Sequence, residues 1–170
     1  MDTTPEFRRD VLVSIRPHYA SKILDGEKTV ELRRKFPQVE ALGMTALIYS
    51  SSPVSAVVGY ARIKHVLKLP LSGIWKQHGA AACISKAEFD AYFAGLREGF
   101  AIVFESVQPL KKCFTAIDLR AQFGIVPPQS YRYITAECVA LLSDEQFQTP
   151  HRHKRRYRAG GPSAGSGISR

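Results

Sequence analysis

The chain has 170 residues, 45% of them hydrophobic, and a formal net charge of +9. That length supplies one ordinary core and would leave two separate halves short of apolar area, so a single folded unit is expected. Six basic residues and no acid fall in residues 148–170, which leaves a net +3 on the rest and makes the body only mildly basic.

No early stretch joins a basic start, an apolar run and a small-residue cleavage site, and no run is apolar enough to span a bilayer. A cytoplasmic protein with no membrane association is the expectation. The cysteines Cys83, Cys113 and Cys138 are odd in number and unpaired in spacing; they read as reduced core thiols.

In chain order, residues 1–10 form an N-terminal extension, and VLVSIR (11–16) alternates as a strand. Pro17 suits the first turn of a helix that Gly26 stops. KTVELR (28–33) is a strand with Val30 and Leu32 on the core side and Thr29, Glu31 and Arg33 on an available side. MTALIYSS (44–51) and SAVVGYARIKHVLKL (55–69) are strands, the second with a bend at Gly59.

A helical insertion follows. It comprises residues 70–79 and 85–95, the latter opened by a Ser85/Glu88 capping box. GFAIVFESVQPLKKCF (99–114) is a strand, AIDLRAQFG (116–124) a short helix ended by Gly124, and VPPQSYRYI (126–134) an extended, proline-stiffened segment. A last helix runs over 135–147 with Thr135 as its cap, and residues 148–170, rich in Arg, Gly and Ser, read as a disordered basic tail. Helices inserted between five or six strands, without regular alternation, argue for an α+β fold built on a small, mostly antiparallel barrel.

The stretch GEKTVELR (26–33) resembles the G-x-K-x-x-E-x-R motif of the ASCH domains, relatives of the PUA domain. The likeness continues through IYSSSPVSAVVGYARI (48–63), GIWKQHG with SKAEFDAYFAG (73–95), GFAIVFESV (99–107) and PPQSYRYI (127–134). It implies an ASCH/PUA-like domain over residues 11–147, a PUA-like barrel with a cleft lined by the motif strand, and RNA or nucleotide as ligand.

Glu31 and Arg33, two apart on a strand, project from one face about 7 Å apart, and Lys28 enters from the preceding turn. A guanidinium fork and an ammonium suit phosphate, while a carboxylate accepts from a base amino group or a ribose hydroxyl. The alternative is a salt-bridge ladder on a solvated face. Arg16 and Ser50 to Ser52, at strand ends, are further phosphate contacts. Gln129, Ser130 and Tyr131 follow two prolines and could present an amide, a hydroxyl and a stacking ring, or could simply pack.

Trp75, Phe89, Tyr92 and Phe93 recur at helical spacing and read as core. His65 and His78 lack companions at ligand spacing, so no metal and no cofactor is expected. Arg152, Lys154, Arg155, Arg156 and Arg158 in the tail, flanked by His151 and His153, would neutralise nucleic-acid phosphates independently of sequence.

These features favour a nucleic-acid or nucleotide-binding module, with RNA as its ligand. The alternative is a metal-independent hydrolase acting on RNA or a modified nucleoside, with Lys28 or Glu31 as catalytic group and Arg33 stabilising a phosphorane. One branch of the resembling family deacetylates acetylcytidine. Its lysine matches Lys28, but it carries threonine where this chain has Glu31 and a glutamate where GAAAC (79–83) has no carboxylate. A protein-interaction domain would instead expose Ile74, Trp75 and Phe89 as an apolar patch.

Overall fold

The computed structural model describes residues 9–37 and 43–144; the expected tail over 148–170, and most of the expected extension over 1–10, lie outside them. Strand β1 (Asp10–Ile15) leads through Arg16 into α1 (Pro17–Leu24), with proline in the first turn where no backbone donor is needed. Gly26, at φ +79°, turns the chain without the steric cost a side chain would bring. Lys28 and Thr29 lie in the connection, and β2 is the four residues Val30–Arg33.

Next come β3 (Thr45–Ser50) and the long β4 (Ala56–Pro70). The helical insertion, α2 (Leu71–His78) and α3 (Lys86–Tyr92), joins β4 to β5 (Glu98–Thr115). Ser85 and Glu88 form the expected capping box at α3, and Thr115 with Asp118 forms another at α4 (Ala116–Phe123). Strand β6 (Tyr131–Ile134) and α5 (Ala136–Ser143) complete the described chain, with the Thr135 side chain accepting the Cys138 N–H as cap.

The six strands form one sheet in the order β2-β5-β4-β3-β1-β6, antiparallel throughout except for the β1/β3 pair. The fold is α+β and mostly antiparallel, as expected, but the sheet does not close into a barrel. The reason is local. At the start of β2, the Thr29 and Val30 N–H groups donate to the Ala81 carbonyl (3.0 and 3.3 Å), and the Tyr92 hydroxyl donates to the Leu32 carbonyl at 3.4 Å. The helical insertion thus takes up backbone groups that a closing strand would need. Side chains bridge the remaining seam: Arg33 Nη2 donates to the Ser14 carbonyl at 2.7 Å, and the Phe36 ring packs on Tyr131 with centroids 5.0 Å apart.

Alternation along the strands feeds three apolar clusters. Val11, Val13 and Ile15 join Ile23, Ile48, Ile63 and Phe36 in one, while Leu12 and Leu47 meet Phe114, Leu119 and Leu142 beneath α4 and α5. Burial on both faces explains why VLVSI reads as a nearly continuous apolar run. Val30 and Leu32 pack under the insertion against Ile74, Phe89 and Phe93.

Two expectations need correction, and one alternative loses its support. Cys138 is buried, but Cys83 is half-buried and Cys113 is exposed, because the strand alternation that buries Phe114 turns its neighbour outward. Tyr92, expected in the core, is 36% exposed. Ile74 and Phe89 are buried and Trp75 half-buried, so the apolar patch imagined for a protein partner is not on the surface. No helix among the described residues is long and apolar enough to cross a membrane.

Gly59 sits where the β4 register shifts against both of its neighbours, as its bend suggested. A Cβ there would lie 2.4 Å from Leu24 Cδ2 and 2.7 Å from the Gln108 carbonyl oxygen. The leucine tip can yield, but the carbonyl is fixed in the sheet. Gly59→Ala is therefore expected to lower the urea-unfolding free energy by about 1–3 kcal/mol. Gly73→Ala, inside α2 with its nearest atom at 3.9 Å, should instead raise it by up to about 1 kcal/mol.

Candidate functional site

The seam between β2 and β1 opens into a cleft of about 600 Å³, a size suited to a ligand no larger than a nucleotide or two. Its floor is a buried charge cluster. Glu31 stands between two cations: Oε2 lies 3.3 Å from Lys28 Nζ, and Oε1 lies 3.2 Å from Arg33 Nη2. Lys28 Nζ also donates to the Ala82 carbonyl at 2.7 Å and lies 5.0 Å from the centre of the Tyr19 ring. With side-chain exposures of 4%, 11% and 9% for Lys28, Glu31 and Arg33, this is not the solvated ladder that alternation alone allowed.

The local fold explains the arrangement. The Gly26 turn delivers Lys28 against the loop after α2, whose Ala81 and Ala82 carbonyls receive β2 and the ammonium. Alternation then sends Val30 and Leu32 under the insertion, while Glu31 and Arg33 line the cleft. Two cations share one carboxylate, so the cluster carries a net +1 in a low-dielectric setting where it attracts an anion strongly. Arg33 Nε is a buried donor that finds no partner among the described residues.

Of the other sequence candidates, Arg16 and Gln129 line the cleft, Arg16 exposed at its rim. Ser50 does not; it is buried beside Ile15 in the β1/β3 pairing, and its neighbour Ser51 takes the lining position. Ser130 contributes its carbonyl to the Ser14 N–H at 2.8 Å, and Tyr131 packs between Phe36 and Tyr133, so neither side chain lines the cleft. The tail cations Arg152, Lys154, Arg155, Arg156 and Arg158 lie outside the described residues.

The structure also brings in groups that the sequence reading did not single out: Ser14, Tyr19, Ile84, Glu88, Ala91 and Tyr92. On α3, Glu88, Ala91 and Tyr92 stand at i, i+3 and i+4, which places them on one helix face. That spacing was visible, but Glu88 had been absorbed by its capping role. Glu88 Oε2 accepts from the Ser85 hydroxyl (2.6 Å) and N–H (3.0 Å), and these bonds, the hydroxyl's first, hold its carboxyl below the usual value. The Tyr19 phenol is pushed up, first by burial and then by the Glu88 charge.

Fold and cleft together define a small α+β domain with a charged site at an unclosed sheet seam. Residues 9–120 match a family described as a domain of unknown function, DUF365. The chain is 30% identical over 132 residues to the ASCH domain-containing ribonuclease of Zymomonas mobilis, an alignment spanning 76% of this chain and 87% of that protein. The crystal structure of ASCH from Zymomonas mobilis superposes with a TM-score of 0.73 at 29% identity, covering 81% of this chain and 98% of that one. A stretch of 99 residues is 31% identical to large ribosomal subunit protein uL22 of Ureaplasma parvum, covering 58% of this chain but 31% of that protein. The chain belongs to the ASCH domain family.

One pH effect follows from the cleft wall. Burial, the leading cause, raises the Tyr92 phenol above its usual value, with Arg33 pulling it down and Glu31 pushing it up. The unfolded phenol ionises near pH 10 while the folded one stays protonated, so its contribution is complete below that pH and is lost as pH rises through the folded value. Tyr92→Phe should therefore show a shallower decline of unfolding free energy than the parent as pH rises above about 10. Urea titrations across that range check it, and parallel curves would contradict the assignment.

Proposed function

We propose that the protein is a nucleic-acid-binding ASCH module, with RNA as its ligand, and that a phosphate seats in the cleft at Arg33 and Arg16. The observation that carries this reading is the Arg33 guanidinium. It is nine-tenths buried and its Nε–H is unpartnered among the described residues. A buried donor left unpaired costs on the order of 1–3 kcal/mol, and a small rotation of the guanidinium toward the cleft it lines would offer that donor to a phosphate oxygen. Arg16, exposed at the rim, adds a second cation within the same cleft. Similarity to a ribonuclease and to part of a ribosomal protein supports RNA over other polyanions. Arg152, Lys154, Arg155, Arg156 and Arg158 would add a sequence-independent, salt-sensitive contribution.

Similarity to the Zymomonas mobilis ribonuclease favours a second reading, in which this chain also cleaves RNA. Lys28 or Glu31 would assist attack of a ribose 2′-oxygen on the adjacent phosphorus, the 5′-oxygen would leave, and Arg33 would stabilise the phosphorane. It stands second because each Glu31 oxygen already faces a cation, an arrangement that anchors those cations more readily than it offers a free base.

Polarisation measurements with a 5′-labelled single-stranded RNA over a range of salt, followed by gels of the same samples, separate these readings. Arg16→Ala is expected to weaken binding about threefold to tenfold and to reduce the salt slope by about one, with thermal stability unchanged. Unchanged affinity would sink the cleft assignment. Shortened RNA, in EDTA or with added Mg²⁺ or Mn²⁺, would establish the nuclease reading, and intact RNA in every condition would remove it.

A further inference from the structure

The cleft is larger than a phosphate needs, and its two sides differ in chemistry. The β1 and β2 side carries the cations. Beside it, α3 presents the Glu88 carboxylate, the small Ala91 and the partly exposed Tyr92 ring, whose hydroxyl donates to the Leu32 carbonyl of β2, with Tyr19 of α1 under the Lys28 ammonium. Ala91 is exposed and leaves room beside the aromatic wall. Tyr92 is braced edge-on against the buried Phe93, centroids 4.8 Å apart, so its position is fixed by packing. Flat walls with an adjacent gap are what an unpaired base requires, since every base has a face that stacks on an aromatic ring.

Glu88 gives that slot a preference. Both Ser85 hydrogen bonds fall on Oε2 and the Tyr19 hydroxyl also hydrogen-bonds Glu88, which fixes the carboxylate and leaves about one of its four acceptor sites open. An ionised carboxylate only accepts hydrogen bonds. Cytosine, adenine and guanine offer an amino group to such an acceptor, whereas uracil offers one N–H between two carbonyl oxygens that a carboxylate repels.

We propose that the α3 side of the cleft seats one unpaired base and that Glu88 selects amino-bearing bases over uracil, an inference that rests on the nucleic-acid reading above. The phosphate lies on the Arg33 side, so affinity and selection reside in different residues of one site. Ala91 sets the width of the slot.

The test uses the full chain and end-labelled RNA hexamers of cytosine, adenine or uracil, read by fluorescence polarisation. The cytosine and adenine hexamers should bind about tenfold more tightly than uracil. Glu88→Gln, which keeps the capping box and offers an amide that both donates and accepts, should bring the three within about threefold. Ala91→Leu should weaken the cytosine and adenine hexamers with no loss of thermal stability, and Arg16→Ala should weaken all three by one common factor. Equal affinities in the parent chain, or a preference that survives Glu88→Gln, would overturn the base assignment while the common Arg16→Ala loss kept the phosphate reading in place. Hexamers that do not bind, or whose affinity ignores Arg16→Ala, would overturn both.

Discussion

Glu31 holds the site together. A carboxylate with only 11% of its side chain exposed is tolerable because Lys28 and Arg33 flank it, and those cations are tolerable because each also reaches a main-chain carbonyl, Ala82 for one and Ser14 for the other. Each of these bonds ties together elements that the sheet does not pair. Lys28 fastens the motif turn to the helical insertion, and Arg33 fastens the last residue of β2 to β1 across the open seam. The charge cluster on the cleft floor is also what spans the gap between these elements.

The helical insertion determines why that gap exists. By accepting the Thr29 and Val30 N–H groups at Ala81, the loop after α2 occupies the start of β2, and β2 is too short to pair elsewhere. A strand paired along the free edge of β2 would have filled the space beside Glu31 and Arg33. The open seam instead leaves a cleft walled by β1 and β2 on one side and by α1 and α3 on the other. Arg16 lies exposed at the rim of that cleft.

Much of this was legible in the sequence because the signals were local. Pro17, Gly26, Gly124, Thr135 and the Ser85/Glu88 pair set element ends by backbone chemistry that operates within four residues, and the alternation of VLVSI and VELR reported their faces. The spacing of Lys28, Glu31 and Arg33 marked the motif strand, and the structure brings all three together with Arg16 and Gln129. What local signals could not show was which elements cover one another. Whether β2 pairs with the sheet's other edge depends on a loop about fifty residues away in sequence, so the open sheet was missed. Ser50 and Ser51 differ by one position, and strand register in three dimensions decides which of them meets the cleft. Glu88 and Tyr92 carried ordinary explanations, a cap and a packed face, and only the packing of the helices in three dimensions brings them to the cleft.

The central claim is that Glu31 couples the two cations across the seam, and a double-mutant cycle measures that directly. Urea unfolding of the parent, Glu31→Gln, Arg33→Met and the double variant yields the interaction energy between the two side chains. The account predicts a coupling of at least about 2 kcal/mol, with the double variant more stable than the sum of the single losses implies. Additive losses, with a coupling near zero, would contradict it and would reduce the cluster to three charges that merely lie close together.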